Sequence, residues 1–306
     1  MTSEVSILES WFERAFPNAF PGRSADPNAP AKPNGTAEAS PTAKPFAYRV
    51  GVRALPSSEP LFLFDENTRR ECSLRRRLLR EQQSLVWAWP NDTRSLECLD
   101  ALAAWMRSQL PRGVGTAGSI PFASPRVPAE FLLICEDIVL LRDDADAGFP
   151  ILGGLVCFPS DWSIREKMAL PIADVHGPVP TYAGRLREQT ERLMSALVLG
   201  RSVERFNWSL TPAARLDLMP DRRSAMQKAR QRLDRASAMR RVQLRIERQT
   251  LTRLPDQSGI VFIIHTKQWP IGRLSESSRN RLQMCLAAMP DAILDYKGLR
   301  DIRKLL

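Results

Sequence analysis

The pattern of the sequence predicts an α+β fold, and three observations carry that expectation. Short apolar runs bounded by turn residues, at 131–134, 138–141, 152–158 and 259–265, have the length and punctuation of strands in a half-buried sheet. Amphipathic stretches of helical period lie among them, the clearest at 95–110 with Leu96, Leu99, Leu102, Ala103 and Met106 on one side. Helices and strands are interspersed without the regular βαβ spacing of a parallel sheet.

In chain order, residues 3–16 read as a short amphipathic helix. Ser6 and Glu9 are spaced as a capping box, and Ile7, Leu8, Trp11, Phe12 and Phe16 fall largely along one face. That helix either docks on its own domain or serves as a partner-binding peptide. Residues 17–45 hold seven prolines among Ala, Asn, Ser and Lys, a composition that buries no core and reads as a flexible linker. The folded body is expected to span 46–306. Within it, 48–64 alternates as short strands and turns, 68–83 is a basic helix, and 185–199 is helical. Residues 221–249 read as one long Arg-rich helix, and 275–289 as the last clear helix.

Composition excludes several classes. With 306 residues, 43% hydrophobic and 25% charged, the chain is an ordinary soluble globular protein rather than a disordered one. No apolar run approaches the roughly 18 residues of a membrane span. The first basic residue, Arg14, follows Glu4, Glu9 and Glu13, the reverse of a secretory leader. Five scattered cysteines with no Cys-x-x-Cys pair argue against a disulfide framework or a zinc knuckle and for a reducing, cytoplasmic setting. Only two histidines are present, so imidazole chemistry must run through His176 or His265.

Gly113 to Gly118 matches Gly-x-Gly-x-x-Gly literally, but a helix precedes it and Pro121 and Pro125 block a following one. It therefore lacks the strand-to-helix setting of a dinucleotide loop. The 221–248 segment holds ten Lys/Arg against Asp221, Asp234 and Glu247, a positive excess within a chain of net charge +10. A solvated face, an acidic protein partner and a nucleic acid are all open readings of it. The absence of aromatic residues weighs against the last. The 156–180 segment is the most unusual: His176 sits among Gly177, Pro178 and Pro180, on backbone with little freedom, which suits a ring that must be aimed.

Several words of this sequence, in order, resemble the alpha-subunit family of haem-dependent oxidative N-demethylase. They are Arg49-Val-Gly-Val-Arg-Ala-Leu55, Cys135-Glu-Asp-Ile-Val-Leu-Leu141, Val156-Cys-Phe-Pro-Ser-Asp-Trp162 with Lys167, and His176-Gly-Pro-Val-Pro180. Arg205-Phe-Asn-Trp208, the run from Glu247 to Pro255, and Ile260-Val-Phe262 follow. The resemblance implies a PAS-like antiparallel sheet with surrounding helices and a haem pocket. It implies a haem b monooxygenase that uses dioxygen to demethylate a small secondary amine such as dimethylamine, releasing formaldehyde. Electrons would come from NADPH through a separate flavin and iron–sulfur reductase subunit. That partner would dock on the basic helix 221–248, with no membrane or nucleic acid involved. The alternative is a non-catalytic PAS-like haem sensor or binding protein.

Carried onto this chain, the resemblance makes His176 the axial iron ligand, with Asp174 the candidate to accept from the ring's other nitrogen and Cys157 and His265 as rival ligands. Lys167, Arg205, Arg248 and Arg253 become candidates for the haem carboxylates, with Trp162 beside them, and Trp208, Glu247 and His265 candidates for the substrate pocket. Each of these has a plain structural reading too, as an ion pair or as core. Catalytic groups beyond the haem are not indicated. Two departures stand out. Ala169 occupies a place where the family commonly has glycine, and His265-Thr266 replaces the usual Arg-Thr, followed by Lys267 and Gln268 where an aromatic is common.

Overall fold

The computed structural model describes residues 4–16, 51–114, 127–180, 182 and 186–306. The expected linker 17–45, Arg49 and most of the Gly113–Gly118 segment lie outside the described residues. The strands are β1 (Arg53–Ala54), β2 (Trp87–Ala88), β3 (Asp137–Leu141), β4 (Ile151–Leu155), β5 (Val203–Thr211), β6 (Gln243–Arg253) and β7 (Ile260–Pro270). The helices are α1 (Glu4–Ala15), α2 (Thr68–Glu81), α3 (Gln83–Val86), α4 (Thr93–Gln109), α5 (Ile164–Lys167) and α6 (Ile172–Val175). After them come α7 (Arg187–Ser195), α8 (Arg223–Gln231), α9 (Arg235–Arg241), α10 (Glu276–Ala288), α11 (Asp291–Tyr296) and α12 (Arg300–Leu305). The α+β class holds.

One antiparallel sheet organises the molecule, in the order β1-β5-β6-β7-β3-β4-β2. A β3–β4 hairpin and a β5–β6–β7 meander join because β7 pairs back onto β3. Gly154 permits the close approach inside the hairpin, since a Cβ there would stand 2.2 Å from the Ile138 carbonyl oxygen. Side chains alternate between two faces. The first face carries Val261, Ile263, Leu244, Ile246 and Trp269 into two large clusters covered by α1, α2, α4 and α10. The second carries Ile260, Phe262, Leu251 and Val203 into a smaller cluster under α5, α6 and α7.

Helix α1 packs on its own domain. Leu8, Trp11, Phe12 and Phe16 are buried in the first-face core, and Glu4, Glu9 and Glu13 reach Arg273, Ser278 and Arg281. The helix begins at Glu4, so Ser6 lies inside the first turn and is not its cap.

Three sequence expectations are corrected. Residues 131–134 are not a strand, because Pro128 starts a 3-10 turn over Ala129–Leu132. Among the described residues of 48–64 only Arg53–Ala54 is a strand. The long helix 221–249 does not exist: Asp234 caps a new helix by accepting from the Ser237 N–H, and beyond Val242 the chain becomes β6. Arginines at 245, 248 and 253 hid the period-2 alternation of that strand. Strand β5 was missed for a similar reason, since Glu204 shares a face with Phe206, Trp208 and Leu210. No described helix is long and apolar enough to cross a membrane.

Ala169 holds a strained backbone conformation. It sits in the turn between α5 and α6 with φ +61°, a left-handed conformation that a Cβ disfavours by about 1–2 kcal/mol. Glycine removes that cost but adds unfolded-state entropy. Ala169→Gly is expected to stabilise the fold by roughly 0.5–1 kcal/mol in chemical denaturation, and a destabilised variant would contradict this account.

Candidate functional site

The second face of the sheet, beneath α5 and α6, gathers four of the residues singled out in the sequence. Ser163 and Glu166 form a capping box that starts α5, which ends on Lys167. After the Ala169 turn, Pro171 opens α6, and His176 follows at its C-terminus. Tyr182 stacks on the His176 ring, with centroids 5.1 Å apart and planes 18° from parallel.

His176 Nδ1 lies 2.9 Å from the Ile172 carbonyl oxygen. A carbonyl only accepts, so Nδ1 carries the proton and Nε2 carries a lone pair. Burial pulls the pKa of the ring below its ordinary value, and the positive charges of Arg205 and Lys167 add to that, against the Ile172 hydrogen bond. The neutral imidazole with a basic Nε2 is therefore the stable state at neutral pH. The acceptor that orients the ring is the Ile172 carbonyl rather than Asp174, which is exposed.

Arg205 and Glu247 project from β5 and β6 onto this face, where Asn207 is the register partner of Glu247. Glu247 accepts from Arg245 Nε at 3.2 Å, Asn207 Nδ2 at 3.3 Å and Gln249 Nε2 at 2.9 Å. Arg245, fully buried, also donates to the Leu216 and Phe158 carbonyls, which fixes the loop leading to Trp162 against the sheet. Lys297, just past α11, donates to the Trp208 carbonyl at 2.7 Å and to Asn207 Oδ1 at 3.4 Å. Burial, aided by Arg205 and opposed by Glu247, pushes its amine down to about 8. Arg245 and Lys297 carried no sequence signal, because each stands in a segment whose own pattern explained it.

Most of the remaining candidates lie apart from His176. Trp162, with Met168, Ile172 and Val175, packs against the second-face cluster beside α5 and α6. Trp208 is on the first face, stacked on Phe16 at 4.6 Å. Arg248 is also on the first face, where it donates to Glu204 at 2.6 Å and to the Pro60 carbonyl at 3.0 Å. His265 is its register partner, 2% exposed, with Nδ1 2.7 Å from Glu136 and Trp11 edge-on to its ring. Arg253 is on the second face at the far end of β6, paired with Asp143 at 2.8 Å. Cys157 is sealed in the core, and burial pushes its thiol up to about 12. An open hollow of about 380 Å³ between Trp89 and Arg165 adjoins the outer side of α5 and is lined by none of these candidates.

The sequence profile of a family described as haem-dependent oxidative N-demethylase, alpha subunit-like, matches residues 125–306, more than half of the chain. The chain belongs to this family. The matched stretch holds β3 to β7 and both faces of the central sheet, with Lys167, His176, Arg205 and Glu247 inside it. In haem-dependent oxidative N-demethylase-like chains the cofactor is haem by description, and the second face can be tested against that group. Among the described residues no three His, Cys, Asp or Glu side chains converge to hold an ion between them. One neutral imidazole with flanking cations is instead a set that would suit an iron whose remaining donors a porphyrin with carboxylate arms would supply. The residues fit the group.

Proposed function

We propose that this chain is the haem-binding subunit of a dioxygen-using N-demethylase for a small secondary amine, with haem b held on His176. The observation that carries the proposal is the state of His176. It is neutral, its tautomer is fixed by the Ile172 carbonyl, and it lies on a sheet face with Lys167 and Arg205 in electrostatic range. The PAS-like reading is supported by the central five strands, a hairpin closed against a three-stranded meander, with α5 to α7 inserted between them over the second face.

Haem supplies the redox centre at which dioxygen is reduced and the N-methyl group oxidised. The chain's own residues do the rest. Ile172 holds the proton on Nδ1 of His176 and aims its Nε2. Lys167 and Arg205 offset carboxylate charge, and Trp162 with Met168 keeps water from the apolar side. Glu247 supplies the negative charge of this face; one oxygen is committed to Arg245, and the other, held by Asn207 and Gln249, is the candidate to meet an ammonium group. For dimethylamine the balance is amine, dioxygen, two electrons and two protons giving methylamine, formaldehyde and water. The electrons are assigned to NADPH through a flavin and iron–sulfur partner, because no cysteine cluster in this sequence is spaced to carry them. Helices α8 and α9, with exposed Arg223, Lys228, Arg232, Arg235, Arg240 and Arg241, offer an acidic reductase its docking face in place of the expected single helix.

Haem-loaded protein, dimethylamine, dioxygen and a ferredoxin-type reductase should give formaldehyde, and its rate should fall steeply with added salt. Haem binding without amine-dependent formaldehyde would favour the sensor alternative. A protein that takes up no haem would sink both readings, and a salt-independent rate would remove the docking face.

A further inference from the structure

Away from the His176 face, a second set of reactive groups is built around α2. Cys72, entering the second turn of that helix, and Cys135, two residues before β3, are 63 positions apart, yet their Sγ atoms lie 3.7 Å from each other. Both are enclosed, but Cys72 keeps 5% of its surface beside exposed Ser73, whereas Cys157 keeps 0%. The guanidinium of Arg75 is buried nearby and paired with Asp137, while its Nε and Nη2 have no hydrogen-bond partner among the described residues. The two thiols are also unlike each other. The hydrogen bond shared by the two sulfurs, with the charges of Arg75 and Arg76, outweighs burial and draws the Cys72 thiol down; the same sharing and burial push Cys135 up. One sulfur is thus suited to attack and the other to keep its proton until a second step.

We infer that Cys72 and Cys135 are an oxidisable dithiol, which a small hydroperoxide converts to a disulfide joining α2 to the start of β3. The sulfurs are in van der Waals contact and need approach only from 3.7 Å to the ~2.0 Å of a disulfide bond. In the first step the Cys72 thiolate attacks the terminal peroxide oxygen; the S–O bond forms, the O–O bond breaks, and the other oxygen leaves as hydroxide, or as alkoxide from an organic hydroperoxide, to take up a proton as water or alcohol. In the second, the Cys135 sulfur attacks the Cys72 sulfenic acid; the S–S bond forms, the S–O bond breaks, and the Cys135 proton leaves with the hydroxide as water. Two thiols lose two electrons in all, and one peroxide gains them. The bridge would fall next to Glu136 and Asp137. Asp137 accepts the Cys157 and Phe158 N–H groups at 2.7 and 2.8 Å, at the head of the loop that leads to Trp162 and Lys167.

The test uses the full-length protein, reduced and then treated with an equimolar dose of hydrogen peroxide. Free thiols counted after denaturation should fall by two from five. A non-reducing peptide map should contain a Cys72–Cys135 bridged peptide that dithiothreitol removes. Cys135→Ser should stop at a Cys72 sulfenic acid trapped by dimedone, and Cys157→Ser should behave as the wild type. Thiol loss without that bridged peptide, oxidation at Cys98 or Cys285 first, or no thiol loss would each overturn the inference. None of these readings depends on haem, so the dithiol stands or falls apart from the proposed function.

Discussion

Replacement of His176 by alanine is expected to abolish the Soret band of the haem-loaded protein or to shift it to that of a weakly bound, five-coordinate species. The expected loss of haem affinity exceeds the roughly 10–100-fold that removal of a mere orienting group costs a metal site. The side chain is half-buried at the end of a four-residue helix, so its removal leaves the sheet and both first-face clusters in place. Added imidazole should restore the band by filling the vacated position. His265→Ala is the control: its ring is closed in by Trp11 and bonded to Glu136 on the opposite face, so it should cost stability and leave the band unchanged. The pH dependence follows from burial, which, with Arg205 and Lys167, sets the folded pKa of His176 below the ordinary imidazole value of about 6.5. The unfolded chain therefore binds the extra proton first on acidification. The contribution of this group is present above 6.5 and is lost as pH falls through the lower, folded value. The wild-type band should persist below pH 6.5 and fade only under more acid conditions. A band that survives in His176→Ala would transfer the ligand role to another residue.

What the sequence made legible was set by how locally each feature is encoded. β3, β4, α4 and α10 were readable because their apolar positions repeat without interruption and their ends carry turn residues or caps, such as Asp92 accepting from the Ser95 N–H. β6 was not readable. Its alternation is carried by Leu244, Ile246, Thr250 and Thr252, with a buried arginine at 248 in the middle, and a buried arginine has the same letter as a solvated one. The same ambiguity affected the site. His176, Lys167 and Arg205 converge because α5, α6 and β5 fold over one another. Arg248 and Trp208, which belong to the same sequence words as Glu247 and Arg205, are carried to the other face by the two-residue period of a strand. Sequence neighbourhood brought these words together, but it identified neither β5 nor β6 as a strand and could not choose the face.

That choice of face has an energetic consequence, which Glu204→Gln should expose. Glu204 is 0% exposed and is the carboxylate that compensates Arg248, itself 3% exposed, at 2.6 Å. Arg14 at 3.3 Å and Arg53 reach the same carboxylate from the rim, but both are more than a third exposed and add little after screening. Taking the charge from Glu204 leaves the Arg248 guanidinium buried and unpaired, a change that costs about 3–5 kcal/mol when one partner of such a pair is removed. Glu204→Gln is thus expected to lose about that amount in chemical denaturation. Glu204→Gln combined with Arg248→Met should recover a large part of it, because no uncompensated charge remains and a methionine fills the space. The haem spectrum of Arg248→Met should match the wild type, since this side chain points away from His176. If Arg248 instead served the haem carboxylates, Glu204→Gln would leave stability nearly unmoved and Arg248→Met would weaken haem binding. The two readings of one arginine therefore predict opposite patterns in stability and in the spectrum, and a cycle of three variants separates them.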